Sequence, residues 1–182
     1  MQHMYSQDWK KRMSKLISDG YRALNRQMLE DCDGYAIMGA QNAQAVIDLM
    51  HSRPQLATIL DYGCGRQLLQ KSLPNFVIDG YDPAVPGLDS PPTPHDLVVC
   101  GDVLEHIEPE LLDNVLDNLR FVTRRCGYFV ICTVPATKLL PDGTNPHRIV
   151  EDEAFWLPKL LSHGFHIDLF RKTATHLILV VT

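Results

Sequence analysis

The residues best placed to do chemistry are an acid and two glycines in tight succession, two further acids at the ends of apolar runs, and two histidines. Asp61-Tyr62-Gly63-Cys64-Gly65 directly follows the apolar run from Leu56 to Leu60, and Leu68-Leu69 opens a new apolar pattern beyond it. A buried strand that ends in an acid and a glycine turn, then feeds a helix, makes a ligand-binding corner at the carboxyl edge of a parallel sheet. Glycine lets the backbone turn sharply there and lets a ligand approach main-chain atoms. The dinucleotide fingerprint also requires a small residue three positions after the second glycine, and Leu68 stands there. The spacing therefore argues against a nicotinamide or flavin dinucleotide, and the Lys-Ser/Thr of a phosphate loop is absent as well. Asp82-Pro83 ends the run from Val77 to Tyr81, and Gly101-Asp102-Val103 follows the run from Leu97 to Cys100. His106 and His147 lie downstream as candidate bases.

Three ordered segments resemble the class I S-adenosylmethionine (SAM)-dependent methyltransferases. Leu60-Asp61-Tyr62-Gly63-Cys64-Gly65 is similar to that family's first motif. Val77-Ile78-Asp79-Gly80-Tyr81-Asp82-Pro83, about twenty residues on, ends in an acid where the family holds the cofactor's ribose. One carboxylate can accept hydrogen bonds from both ribose hydroxyls. Asp96 to Ile107 is similar to the family's fourth-strand segment, and the resemblance runs from about Tyr35 to the C-terminus. It implies an α/β, Rossmann-like three-layer sandwich with a mostly parallel sheet and an antiparallel C-terminal hairpin strand. It also implies SAM as cofactor and S-adenosylhomocysteine (SAH) as product. Asp61, Tyr62, Gly63, Cys64 and Gly65 would then lie at the methionine end, Asp82 and Pro83 at the ribose, and Gly101, Asp102 and Val103 on the adenosine side. Two departures stand out. The family's frequent third glycine is Gln67 here. The stretch between the second and fourth strands carries Pro86, Gly87, Pro91, Pro92 and Pro94, which suits neither a helix nor a central strand. The third-strand region is therefore expected to be reduced, leaving Asp89 as a weak counterpart of the residue that meets the adenine.

The elements that must position these residues follow from the apolar spacing. Trp9, Met13, Leu16, Ile17, Leu24 and Met28 recur at helical intervals, interrupted at Gly20. Residues 1–34 are read as an N-terminal helical cap or lid, with Tyr21 and Tyr35 as contacts, and residues 35–182 as the SAM-binding domain. Gly34 to Gly39 reads as a loop. Ala40, Ala43, Val46, Ile47 and Met50 give the helix before the first strand, ended by Pro54. Leu112 to Val122 forms the helix after the fourth strand, with Cys126-Gly127 as its end and Tyr128 to Cys132 as the fifth strand. Pro135 to Arg148 is a polar loop at the carboxyl edge, which exposes His147 and Arg148 to substrate. Glu151 to His163 is helical and ends at Gly164. Phe165 to Phe170 and Leu177 to Val181 close the chain as two antiparallel strands.

Composition bounds the function. The 182 residues, 45% hydrophobic, suffice for one domain with a full core. A net charge of −5 gives no global attraction to nucleic acid or anionic membrane. Nucleic acid is thus the less favoured acceptor, and a small molecule or a sugar or glycan the more favoured. The five cysteines show no CxxC spacing, so buried thiols in a reducing, cytoplasmic setting are expected. No apolar run reaches membrane-span length, and a homodimer is left open. No metal is expected, because His106, His147, His163 and His166 fit no recognised zinc spacing. Two other classes compete: a methyltransferase-like subunit that binds SAM or a partner without turnover, and a dinucleotide oxidoreductase, against which Leu68 and the closing hairpin speak.

Overall fold

The computed structural model describes residues 15–33, 35–36 and 38–182. Trp9 and Met13 of the expected N-terminal helix, and Gly34, lie outside the described residues.

Four short strands form the parallel part of the sheet: β1 (Ile59–Tyr62), β2 (Ile78–Tyr81), β3 (His95–Gly101) and β4 (Thr123–Cys132). Two more, β5 (Ile167–Lys172) and β6 (His176–Val181), pair antiparallel with each other, and β6 pairs antiparallel with β4. The order across the six-stranded sheet is β2-β1-β3-β4-β6-β5. Strand alternation sorts the core. Leu60, Val98, Cys100, Phe129 and Ile131 face the helices α4 (Leu112–Val122) and α5 (Glu153–Ser162). Ile59, Leu97, Val99, Tyr128 and Val130 face α2 (Ala43–Ser52) and α3 (Leu68–Ser72). The three-layer sandwich and the antiparallel closing strands match the expectation. So does the reduced middle: residues 82–94 hold neither helix nor strand, and the chain crosses from β2 straight to β3.

The largest boundary difference from the sequence reading lies where α4 gives way to β4. The helix α4 stops at Val122, and β4 begins at Thr123 instead of Tyr128. Pairing with β3 draws these residues into the sheet, with Thr123 opposite His95 and Cys126 opposite Leu97. Gly127 is thus a strand residue rather than a helix stop. A Cβ there would lie 2.7 Å from Val181 Cγ2, so the absence of a side chain lets β6 pack beside it.

The helix α1 (Asp19–Asp31) is capped by Ser18, whose Oγ accepts the Tyr21 amide at 3.2 Å. Gly20 falls in its first turn and does not break it. Tyr21 and Met28 pack on Leu140, and Tyr21 Oη donates to the Pro146 carbonyl at 2.9 Å. These contacts lay α1 across the carboxyl edge of the sheet. Among the described residues no helix is long and apolar enough to cross a membrane.

Candidate active site

The corner after β1 is built by close approach. Gly63 (φ +79°) and Gly65 (φ +44°) lie in the left-handed region that favours glycine. A Cβ on Gly63 would run into the Val103 side chain, and one on Gly65 would sit 2.7 Å from Ala36 Cβ. The amides of Gly63 and Cys64 donate to the Tyr81 carbonyl at 2.7 and 3.0 Å, which ties the corner to the end of β2. Asp82 completes the tie: its Oδ2 accepts the Gly65 amide at 3.0 Å and its Oδ1 the Ala84 amide at 2.8 Å. Gln67, where the resembled family frequently has a third glycine, adopts φ +56°. The left-handed turn is kept here by a non-glycine residue, at a cost of about 1 kcal/mol.

A cavity of about 500 Å³ opens at this edge, within the range of cofactor and small-molecule sites. Asp61, Gly63, Cys64, Asp82 and Pro83 line it from the β1 and β2 side. Gly101, Asp102, Val103 and His106 line it from the β3 side, and His147 from the loop after β4. Two expected residues stand back. The Tyr62 side chain faces the opposite layer, where its hydroxyl donates to Asn118 Oδ1 at 3.0 Å, because successive residues of β1 alternate between faces. Gly65 spends its amide on Asp82. Asp89 accepts the Gly87 amide at 3.3 Å and is not part of the cavity wall.

Burial governs the charges. It raises the Asp61 carboxyl to about 7, with the neighbouring Asp82 adding to the rise and Gln70 offsetting part of it. Burial also raises Asp82, partly countered by the Ala84 and Gly65 amides. The His106 imidazole is pushed down to about 3 by burial, with His147 contributing, so it is neutral across the working range. The His106 and His147 ring centroids are 4.7 Å apart, edge to face. The His147 Nδ1 lies 2.6 Å from the Val134 carbonyl, which places the proton on Nδ1 and leaves the Nε2 lone pair available.

Arg66, Asn42 and Glu105 escaped the sequence reading, whereas Asp102 was expected at the adenosine side. Arg66, next to the corner, donates through Nε to the Tyr35 carbonyl at 3.2 Å and through Nη2 to the Cys32 carbonyl at 2.9 Å; it also reaches the Leu29 carbonyl. It fastens the end of α1 to the glycine turn. Asn42 packs its amide against Gly101, where a Cβ would collide with it. Asp102, at φ +53°, directs Oδ1 to His176 Nε2 at 3.1 Å. Glu105 is fully buried, and its Oε1 accepts the Cys132 amide at 3.1 Å. Burial, with the Asp102 charge, raises its carboxyl well above the ordinary value. Its place next to His106 and three residues after Asp102 was the available signal. The four histidines weighed as a metal set do not gather: His163 lies against Asp117 at 2.8 Å and Asp113 at 3.1 Å, and His166 against Asp168 at 3.0 Å.

A sheet of this order, with a glycine corner after β1 and an acid after β2, is the fold of class I SAM-dependent methyltransferases. No family profile matches the sequence, and no curated protein does. Solved structures do. The DhpI–SAH complex superposes with a TM-score of 0.60 at 15% identity, covering 98% of each chain. The 1,6-didemethyltoxoflavin-N1-methyltransferase of Burkholderia thailandensis, with its acceptor and SAH bound, gives 0.59 at 16% identity over 89% of this chain and 88% of that one. The magnesium protoporphyrin IX methyltransferase ChlM of Synechocystis PCC 6803, with bound SAM, gives 0.54 at 17% identity and 98% of each chain.

Proposed function

We propose that this protein is a SAM-dependent methyltransferase that acts on a small molecule with a largely apolar body. The observation that carries this reading is the cavity at the carboxyl edge, walled by acids that follow or end three adjacent strands: Asp61, Asp82 and Asp102. The structural neighbours that hold SAM or SAH, and act on a toxoflavin precursor or a porphyrin, support it.

The residues present suit the cofactor. The glycine turn leaves room for main-chain approach at the methionine end, with the Asp61 carboxyl beside it. Asp82 is fixed by two amides, yet each of its oxygens retains lone-pair capacity for a ribose hydroxyl. Gly101 to Val103 would lie against the adenosine. SAM supplies an electrophilic methyl group on a sulfonium. What remains for the protein is to hold the acceptor in line, and placement alone accounts for much of the acceleration.

The acceptor end is formed by Leu16, Ile17, Tyr21, Tyr35 and Ile107, which is why an apolar body is favoured over a glycan. Within the proposed N-terminal cap, residues 15–33 pack over that end, on the domain that begins at Tyr35. Where the acceptor must lose a proton, His147 Nε2 receives it. His106 is too weak a base for that role; its ring stands edge-on to Tyr35, whose hydroxyl donates to Asn25 Oδ1 at 2.8 Å.

Incubation with methyl-tritiated SAM and separated fractions of a cell extract tests the reading. Label is expected in the low-molecular-mass fraction. Label confined to protein, nucleic acid or glycan polymer, or none in any fraction despite bound SAM, would overturn it.

A further inference from the structure

We propose that Glu105, Cys132 and His147 form a binding site for a divalent transition-metal cation of the zinc type on the inner wall of the cavity. A carboxylate oxygen of Glu105, the Cys132 Sγ and a ring nitrogen of His147 all lie within 4.8 Å of one another. Ligand atoms around a tetrahedral zinc stand about 3.3–3.8 Å apart, so small side-chain rotations close the set. Three separate segments bring these groups together: the turn Leu104–His106 after β3, the last residue of β4, and the loop that follows it.

The buried carboxylates carry the argument further. Glu105 is 0% exposed, and neither its Oε2 nor the buried Asp102 Oδ2 receives a hydrogen bond from an N–H donor among the described residues. The two carboxyls meet each other, so they are held together either by a proton shared between them or by a cation. The surroundings favour a cation. A thiol and an imidazole face the same point, and Cys132 Sγ is also within 4.8 Å of the ligating atoms of Asp102 and His176. The His147 ring is fixed beside Cys132, with Nδ1 2.6 Å from the Val134 carbonyl. Asp102 is held in a strained left-handed conformation and pairs with His176, an arrangement that sets its carboxyl next to Glu105.

The donor set selects the metal. One sulfur, one nitrogen and one carboxylate oxygen suit zinc and its cobalt(II) surrogate, not magnesium or calcium. As the metal binds, the Cys132 thiol and the Glu105 carboxyl each release a proton to solvent. Three protein ligands leave a further position for water or an acceptor heteroatom, and it faces the cavity, because Cys132 and His147 line that wall. This site does not depend on the methyl-transfer reading; a bound metal would occupy the His147 ring nitrogen, so His147 would serve as a base only in the metal-free protein.

The test is a cobalt(II) titration of the full chain after chelator treatment under reducing conditions, with SAH binding measured in parallel to report an intact pocket. One cobalt per chain and a near-ultraviolet thiolate-to-cobalt charge-transfer band are expected, displaced by zinc. Cys132→Ser should abolish the band, and Glu105→Gln should weaken binding at least tenfold, with both variants still folded by circular dichroism. His163→Ala, outside the cluster, should change neither. A folded wild-type chain that shows no band at excess cobalt would overturn the site in favour of a shared proton. A band that survives in Cys132→Ser would overturn it in favour of another thiol.

Discussion

Asp82 accepts the amide of Gly65 at 3.0 Å, so the acid that follows β2 holds the turn that follows β1. The carboxylate thus shapes the pocket before any ligand is present. Asp82→Asn should retain one acceptor oxygen and lose one of the two amide contacts. A stability loss of about 1–2 kcal/mol is expected in chemical denaturation, as for a buried charge-assisted bond. Asp82→Ala, which loses both, should fall further.

Gly63 passes so close to Val103 that any Cβ would collide with it. Its φ of +79° adds backbone strain for any other residue. Gly63→Ala should cost about 1–3 kcal/mol. Pairing it with Val103→Ala should return part of that loss by removing the clash while leaving the strain, and a double-mutant denaturation cycle measures the split.

Arg66 joins the turn to the end of α1 through three backbone carbonyls. Arg66→Ala should loosen the helical cap without removing a wall of the cofactor pocket. Faster limited proteolysis within residues 15–36 is the expected outcome, with SAH affinity changed less than about threefold.

Asp61 gives a pH signature. Its folded-state value of about 7 lies above the ordinary 3.8, so the neutral form is favoured in the fold. The associated stability is fully present below about pH 4 and is lost as pH rises through about 7. The total is about 4 kcal/mol at most. Asp61→Asn should therefore flatten the decline in stability between about pH 4 and 7, as followed by urea midpoints. A cationic ammonium bound beside Asp61 would favour the ionised form. SAM affinity in the wild type should then rise across the same interval and stay level in the variant.

The fold was legible from short apolar runs because β1, β3 and most of β4 are buried on both faces and the longer helices keep an apolar stripe. The shortened middle was legible too, since the prolines after Asp82 exclude regular structure. The start of β4 was not. Thr123 to Cys126 joins the sheet through pairing with β3, and that long-range contact leaves no local mark. The site divides the same way. Asp61 lies near the end of β1, Gly63 and Asp82 follow the ends of β1 and β2, and all three could be placed in order along the chain. Tyr62 was misplaced because adjacent strand residues face opposite layers. Arg66, Asn42, Glu105 and Cys132 depend on which segments meet in space. The approach of Cys132 to Glu105, for example, joins positions on two different strand ends.

The most direct test of the central claim is a calorimetric titration of the folded wild-type chain with SAH, repeated with Asp82→Ala. Binding in the micromolar range, weakened at least tenfold by the substitution, is the result predicted. A folded wild-type chain that takes up no SAH would contradict the cofactor assignment, and with it the methyltransferase reading of this pocket.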